Sequence, residues 1–197
     1  MAFSAFLDTC VLVPSLQRDI LLEAACAHLY RPLWSDRVEE ELGKTLEGLL
    51  REKGLSVDAG QNYICRLLNQ MNDSLPDTKV NVPLVSSPRL RLQLPDPGDC
   101  HIVEAAMLGR ADVIVTHNLR HFPDASLPGA LFSQSLDNFL SDLLSHNPAV
   151  MGHVLNVIAG RSGRKGPVWS VEDILLTIKR ETPQFVRDIS NYLQAIR

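Results

Sequence analysis

Residues 96–123 have the sequence DPGDCHIVEAAMLGRADVIVTHNLRHFP, and this stretch decides the fold. Its first residues predict a turn, because prolines on both sides of Asp96 fix φ and Asp99 can then cap the helix that follows. The apolar run ADVIVT (111–116) predicts a parallel strand that is buried on both faces. A helix that leads into such a strand is typical of an α/β protein.

The N-terminal segment FSAFLD (3–8) predicts a short buried strand that places Asp8 at its carboxyl end. We expect this strand to be the central one of the sheet. In residues 15–30, apolar residues at three- and four-residue spacing predict a helix. Ser35 can cap a second helix, which ends at Gly54. Residues 57–73 predict a third helix on the same grounds.

The order of these elements predicts a three-layer domain. Residues 75–94 favour extended chain, and ALFSQ (130–134) favours a weak strand before another helix. Alternating strands and helices indicate helices on both faces of a mostly parallel sheet. The rest of the chain predicts helices around the basic connector RSGRKGPVW. We therefore expect a main domain over residues 1–146 and an all-helical extension over residues 147–197.

Composition places the chain among ordinary globular proteins, with 45% hydrophobic and 21% charged residues in a total of 197. No apolar stretch is long enough to span a membrane, and the N-terminus does not resemble a secretory signal, so we expect a cytoplasmic protein. The four cysteines lack the close pairs of zinc or redox sites, which predicts buried free thiols. The net charge is −4. Acidic residues dominate up to residue 145 and basic residues dominate after it, which excludes a general nucleic-acid coat.

Several polar side chains follow predicted strands. In open α/β sheets ligands gather at the carboxyl ends of the strands, so Asp8, Asp99 and Asn118 can converge there. Hard oxygen ligands favour Mg²⁺ or Mn²⁺ over zinc. Taken singly, most candidates have an ordinary structural interpretation: a helix cap for Asp99, turn formation for Asp96, and solvation or capping for the others (Glu39, Glu40, Glu41, His101, His117 and His121). Asp8 is the exception, because a carboxylate after a buried strand is costly unless it is paired or metal-bound.

Three sequence blocks resemble the PIN-domain family: FLDTCVLVP, WSDRVEEELGKTL and the 96–123 stretch. The resemblance extends over residues 3 to about 140 and is strongest to the branch that contains VapC-type toxins; the helical tail resembles an extension carried by some of them. It implies strand order 3-2-1-4-5 and a Mg²⁺- or Mn²⁺-dependent endoribonuclease. It also implies an RNA substrate and a small antitoxin partner, and it leaves open whether the protein forms a homodimer.

The resemblance also implies roles for particular residues. Asp8, Asp99 and Glu41 match the metal-binding carboxylates, and Thr116 would help to position water or phosphate. The family commonly has Asp where this sequence has Asn118, which offers an oxygen without charge and puts a second metal ion in doubt. In the tail, Arg161, Arg164 and Lys165 are candidates for contacting the RNA backbone.

Two other functions compete with this interpretation. A phosphatase of the haloacid-dehalogenase type also begins with Asp after an apolar strand, but it needs a second Asp two residues later, where this chain has Cys10. The other alternative is a PIN-like fold without catalysis that binds RNA or protein. The change at Asn118 favours this alternative, and the retention of three acidic residues opposes it.

Overall fold

A computed structural model describes residues 3–83, 93–163 and 166–196. Its centre is a five-stranded sheet in the order β3-β2-β1-β4-β5, and each of its four neighbouring pairs is parallel. The predicted strand order and the central place of the first strand are therefore confirmed. The strands are β1 (Ser4–Leu7), β2 (Arg31–Ser35), β3 (Lys79–Val80), β4 (Val113–Thr116) and β5 (Phe132–Ser135).

Helices cover both faces of the sheet, as the alternating pattern predicts. They are α1 (Thr9–Leu12), α2 (Ser15–Cys26), α3 (Asp36–Glu52), α4 (Val57–Ser74), α5 (Cys100–Leu108), α6 (Leu136–His146), α7 (Pro148–Arg161), α8 (Val171–Ile178) and α9 (Pro183–Ala195). Ser35 caps α3 as predicted, because its side chain accepts a hydrogen bond from the Val38 N–H. The sequence pattern missed α1, whose single turn is too short to show a period. The C-terminal segment from residue 171 contains two helices, since Pro183 begins a new one.

Burial explains why β1 and β4 are so apolar. Every residue of both strands is buried, because each strand has a neighbour on both sides and helices on both faces. Phe6 in β1 pairs in register with Leu33 of β2 and Ile114 of β4. The carboxyl ends of all strands therefore meet at one edge of the sheet, directly before α1, α3 and the loop after β4.

The C-terminal helices pack against α2 and α6, and their apolar residues join the same buried cluster as those of the sheet. Asp137 of α6 strengthens this contact by accepting hydrogen bonds from the Gln184 and Phe185 N–H groups at the start of α9. The division at residue 146 stays a prediction.

The cysteines and the length of the apolar helices were both subjects of prediction. All four cysteines are free, as predicted, but the expectation that they are buried is wrong: Cys26 and Cys65 are exposed, and Cys10 and Cys100 are only partly buried. Within the described residues, no helix is long and apolar enough to cross a membrane. Part of the segment predicted as extended chain, residues 84–92, lies outside the described residues.

Candidate active site

The carboxyl edge of the sheet brings Asp8 and Thr116 into direct contact. Asp8 follows β1, and its N–H donates to the Val115 carbonyl at 3.1 Å, which continues the pairing with β4. The buried Thr116 hydroxyl then donates to Asp8 Oδ2 at 2.6 Å. The Cys10 thiol donates to the same oxygen at 3.0 Å. Two donors from different elements therefore fix the first predicted metal ligand.

Glu41 reaches the same region from α3. Thr9, the neighbour of Asp8, donates from its hydroxyl to Glu41 Oε2 at 3.0 Å. The other oxygen, Oε1, lies 3.0 Å from His101 Nε2 and 3.3 Å from Arg37 Nε. The three partners come from α1, α5 and α3, so the Glu41 carboxylate lies where these elements meet.

The neighbouring glutamates have different environments. Glu39 is buried, and it accepts hydrogen bonds from Trp34 Nε1 at 3.0 Å, Asn72 Nδ2 at 2.8 Å and Lys79 Nζ at 2.9 Å. The expectation that Glu39 faces water is therefore wrong: it joins α3 to β2, β3 and α4. Glu40 is exposed, as expected.

Asp99 lies at the start of α5, but in the described structure its side chain makes no capping hydrogen bond. The cap interpretation is therefore wrong. Asp96 forms the turn instead, as predicted, by accepting from the Gly98 N–H at 2.8 Å. Asp99 Oδ2 pairs with His121 Nδ1 at 2.8 Å, across the gap between α5 and the loop after β4. The Asp99 side chain is 27% exposed and that of His121 is 26% exposed, so solvent and ligands can reach both.

The electrostatics show that these groups act on one another. Burial raises the pKa of Asp99, and the negative charges of Asp8 and Asp96 raise it further, against the opposing effect of His121. Burial lowers the pKa of His101, while the charges of Glu41, Asp99 and Asp8 oppose this shift. The repulsion between these carboxylates would be relieved by a divalent cation.

The donor set fits such a cation. Asp8, Glu41 and Asp99 offer hard carboxylate oxygens, the ligands that Mg²⁺ and Mn²⁺ prefer. His101 Nδ1 is also buried and has no hydrogen-bond partner among the described residues. A buried polar atom normally has such a partner, so this nitrogen is available to a bound water or ligand. These three carboxylates would hold the metal ion that the resemblance implies if their side chains moved together. Among the described residues, the group whose ligand atoms already lie within 4.8 Å of one another is Asp96, Asp99 and His121.

The other predicted residues lie in varied places. Asn118 is exposed, and its N–H donates to Thr116 Oγ1 at 2.9 Å. Arg161 is half-exposed and forms an ion pair with Glu23 at 2.7 Å, which joins α7 to α2. Arg164 and Lys165 lie outside the described residues.

Sequence reasoning missed the role of the histidines. It assigned His101 and His121 to solvation or capping, but the structure pairs them with Glu41 and Asp99. A signal was available for His121, because the loop after β4 and the turn before α5 both lie at the carboxyl edge of the sheet. His117 differs from these two: its Nε2 lies 2.8 Å from Gln17 Oε1 of α2.

Comparisons with known proteins agree with this geometry. The chain is 34% identical over 89 residues to "Putative ribonuclease VapC50" of Mycobacterium tuberculosis, an alignment that covers 44% of this chain and 51% of that protein. The chain thus spans about half the length of this curated relative, whose name agrees with the resemblance to the VapC-type branch. No solved structure matches the chain. The family model described as PIN domain matches residues 4–120, more than half of the chain. This span contains Asp8, Glu41 and Asp99. The chain therefore belongs to the PIN-domain family.

Proposed function

We propose that this protein is a metal-dependent endoribonuclease that hydrolyses RNA phosphodiester bonds. The observation that carries the proposal is that three acidic residues from distant segments, Asp8, Glu41 and Asp99, lie at the carboxyl edge of one sheet. Asp8 and Glu41 contact adjacent groups of α1, and the charge of Asp8 acts on Asp99. Family membership supports the assignment of these acids to metal binding and of Mg²⁺ or Mn²⁺ as the cofactor.

The mechanism we infer is in-line hydrolysis, in which a water molecule attacks the phosphorus atom from the side opposite the leaving oxygen. No side chain acts as the nucleophile. A bound divalent cation supplies the activation of the attacking water and neutralises charge on the phosphate. The chain's own residues provide orientation: Thr116 fixes Asp8, while Thr9 and His101 fix both oxygens of Glu41. Thr116 contacts Asp8 directly, and Asn118 contacts Thr116 through its N–H. The role we propose for both residues is to position water or phosphate.

The biological setting we propose is a toxin–antitoxin pair in the cytoplasm. Its support is the family and the name of the relative, together with the partly exposed acidic residues Asp8, Glu41 and Asp99, which a small antitoxin could cover. Arg161, Arg164 and Lys165 stay proposed contacts for the RNA backbone. Since Arg161 pairs with Glu23, it would have to leave that ion pair in order to bind a phosphate. The helical extension, residues 147–197, would carry this contact.

Cleavage of a panel of RNAs tests the proposed activity. Wild-type protein should cut RNA internally with Mg²⁺ or Mn²⁺, and EDTA should abolish the cut. Asp8→Asn and Asp99→Asn should each remove cleavage, because each takes away a charge that the metal ion needs. Asp58→Asn is the matched control, since Asp58 is exposed on α4 and should leave cleavage unchanged.

The alternative is a binding module without catalysis, which Asn118 favours because it lacks the charge common at that position. That module would bind RNA or a protein equally well with and without metal, and it would be indifferent to both site substitutions. Metal-dependent cleavage lost in Asp99→Asn would exclude it. Binding with no cleavage under any metal condition would establish it over the nuclease.

A further inference from the structure

His121 lies in an unexpected group of metal-ligating side chains. One ligand atom each from Asp96, Asp99 and His121 lies within 4.8 Å of the other two. Two of the three residues belong to the turn before α5, and the third belongs to the loop after β4. Two loops from different parts of the sequence therefore place an imidazole against two carboxylates.

We propose that His121 is a metal ligand alongside Asp99 and Asp96. It takes the place of the fourth acidic ligand that the family commonly has where this chain has Asn118. As a nitrogen donor, it makes the site prefer a transition-metal ion to Mg²⁺. This proposal rests on the proposed metal-dependent function, which it deepens by naming a ligand and a metal preference.

The distances fit one ion. Metal–ligand bonds of about 2.1 Å put neighbouring ligand atoms roughly 3 Å apart and opposite ones about 4 Å apart. Asp99 Oδ2 and His121 Nδ1 already lie 2.8 Å apart, the separation of neighbouring ligands. Small side-chain rotations, which the partial exposure of all three residues permits, would bring the third donor into range.

The backbone fixes the position of His121 and leaves residue 118 on the outside. The His121 N–H donates to the Asn118 carbonyl at 2.8 Å, which closes a single helical turn, and the next residue, Phe122, is buried in the core. This turn directs His121 to Asp99, while Asn118 is exposed. A ligand three residues after Asn118 can therefore supply the donor that this position lacks.

Ligand chemistry gives the metal preference. Mg²⁺ takes oxygen ligands in a near-ideal octahedron and gains little from a nitrogen donor. Imidazole suits transition-metal ions, which accept carboxylate oxygens as well. An imidazole added to the carboxylates of the site therefore favours a transition-metal ion over Mg²⁺. Mn²⁺ is a suitable test ion because it takes carboxylate oxygens as Mg²⁺ does, accepts a nitrogen ligand more readily, and can be followed by electron paramagnetic resonance.

The test measures Mn²⁺ and Mg²⁺ binding to full-length protein by titration calorimetry, without RNA. His121→Ala should weaken Mn²⁺ binding by about tenfold or more, because loss of even an outer partner of a metal ligand typically costs 10–100-fold. It should weaken Mg²⁺ binding much less. His153→Ala, on an exposed face of α7, is the matched control. Asn118→Ala should leave Mn²⁺ affinity unchanged.

Two further measurements keep the test decisive if His121→Ala is destabilised. Pulsed electron paramagnetic resonance should detect ¹⁴N coupling to Mn²⁺ in wild-type protein and lose it in His121→Ala. His121→Asp replaces nitrogen by oxygen, so it should lower the ratio of Mn²⁺ to Mg²⁺ affinity below that of wild type.

Each outcome bears on one proposal at a time. Unchanged Mn²⁺ affinity in His121→Ala, absent ¹⁴N coupling, or no Mn²⁺ binding at millimolar concentration would overturn the role of His121, even if RNA is cleaved. A histidine-dependent Mn²⁺ site in a protein that cleaves no RNA would support the ligand and reject the ribonuclease. Loss of affinity in Asn118→Ala alone would return the ligand role to Asn118.

Discussion

Three consecutive glutamates on α3 allow one substitution series to separate stability from activity. Glu39 is buried in a hydrogen-bonded network, Glu40 is exposed, and Glu41 lies at the candidate site. Replacing each in turn by alanine makes the same chemical change three times within one helical turn. The three variants should therefore differ only because their surroundings differ.

The expected loss for Glu39→Ala follows from its partners. The Trp34 indole N–H would stay buried without its acceptor, and an unsatisfied buried donor costs about 1–3 kcal/mol. Asn72 keeps its bond to the Leu68 carbonyl, and Lys79 keeps its ion pair with Asp36 at 2.6 Å, so each loses only part of its contacts. With loss of those charged hydrogen bonds, we expect the free energy of unfolding to fall by about 2–4 kcal/mol.

Urea unfolding followed by circular dichroism measures this change, and RNA cleavage below the unfolding range measures activity. Glu40→Ala should alter the free energy of unfolding by less than about 0.5 kcal/mol, as exposed substitutions usually do. Glu41→Ala should abolish cleavage while costing less than Glu39→Ala, about 1 kcal/mol, since the Glu41 side chain is 34% exposed and its Arg37 partner is 56% exposed. If Glu39→Ala is as stable as Glu40→Ala, or if Glu41→Ala cleaves RNA normally, our division of roles along α3 is wrong.

Two glycines and one helix cap give further predictions. Gly48→Ala in α3 should stabilise the protein by about 0.5–1 kcal/mol, because a Cβ there meets nothing within 4 Å. Gly109→Ala should destabilise the protein by about 1–3 kcal/mol, because the new Cβ would lie 2.6 Å from Val80 Cγ2. The melting temperature should therefore rise in Gly48→Ala and fall in Gly109→Ala. Hydrogen bonds from Ser170 lower the pKa of Asp173, so its ionised form stabilises the fold above the unfolded pKa of roughly 4. Asp173→Asn should therefore be less stable than wild type at neutral pH, and urea titrations should show this difference shrinking as the pH falls below that value; a difference independent of pH would contradict the assigned cap.

Much of the fold could be predicted from the sequence because the central strands are apolar throughout. Strands such as β1 and β4 need apolar residues on both faces, so their burial is visible in the sequence. The strand of two residues, β3, gives no such pattern, and its place at the sheet edge depends on tertiary contacts with β2. The single turn of α1 was missed for the same reason.

The candidate site was predictable where strand ends determine it. Asp8 and Thr116 end adjacent parallel strands, so the rule for open sheets places them together, and the structure has them 2.6 Å apart. The family resemblance chose Glu41 by its distance from Ser35, whereas helix position alone does not separate Glu41 from Glu39, because both lie near the start of the same helix. Only the partners in other elements distinguish them: Trp34 and Lys79 in one case, and α1 and α5 in the other.

The carboxylates of this protein differ in whether a positive charge within the fold compensates them. Glu39, which has a structural role, is compensated in this way, and among the residues that the structure describes Asp8 at the candidate site is not. The buried Glu39 carboxylate has the Lys79 ammonium at 2.9 Å, so its charge is already compensated within the fold. Asp8 is instead held by hydroxyl and thiol donors, which orient an oxygen without cancelling its charge. The Arg37 guanidinium near Glu41 is more than half exposed, and such pairs contribute little.

This difference has a consequence for binding. A site acid with an internal lysine would lose that ion pair when a cation arrives, and the cost would offset part of the binding energy. Within the described part of the chain Asp8 has no such pair to break, because neutral donors orient it and leave its negative charge available. The same reasoning applies to Asp99, whose partner His121 can give up its hydrogen bond and offer a nitrogen lone pair to the same ion. The residues that fix the carboxylates would thus leave the edge of the sheet ready for the proposed divalent cation, and the proposed ligand His121 would set which cation binds best.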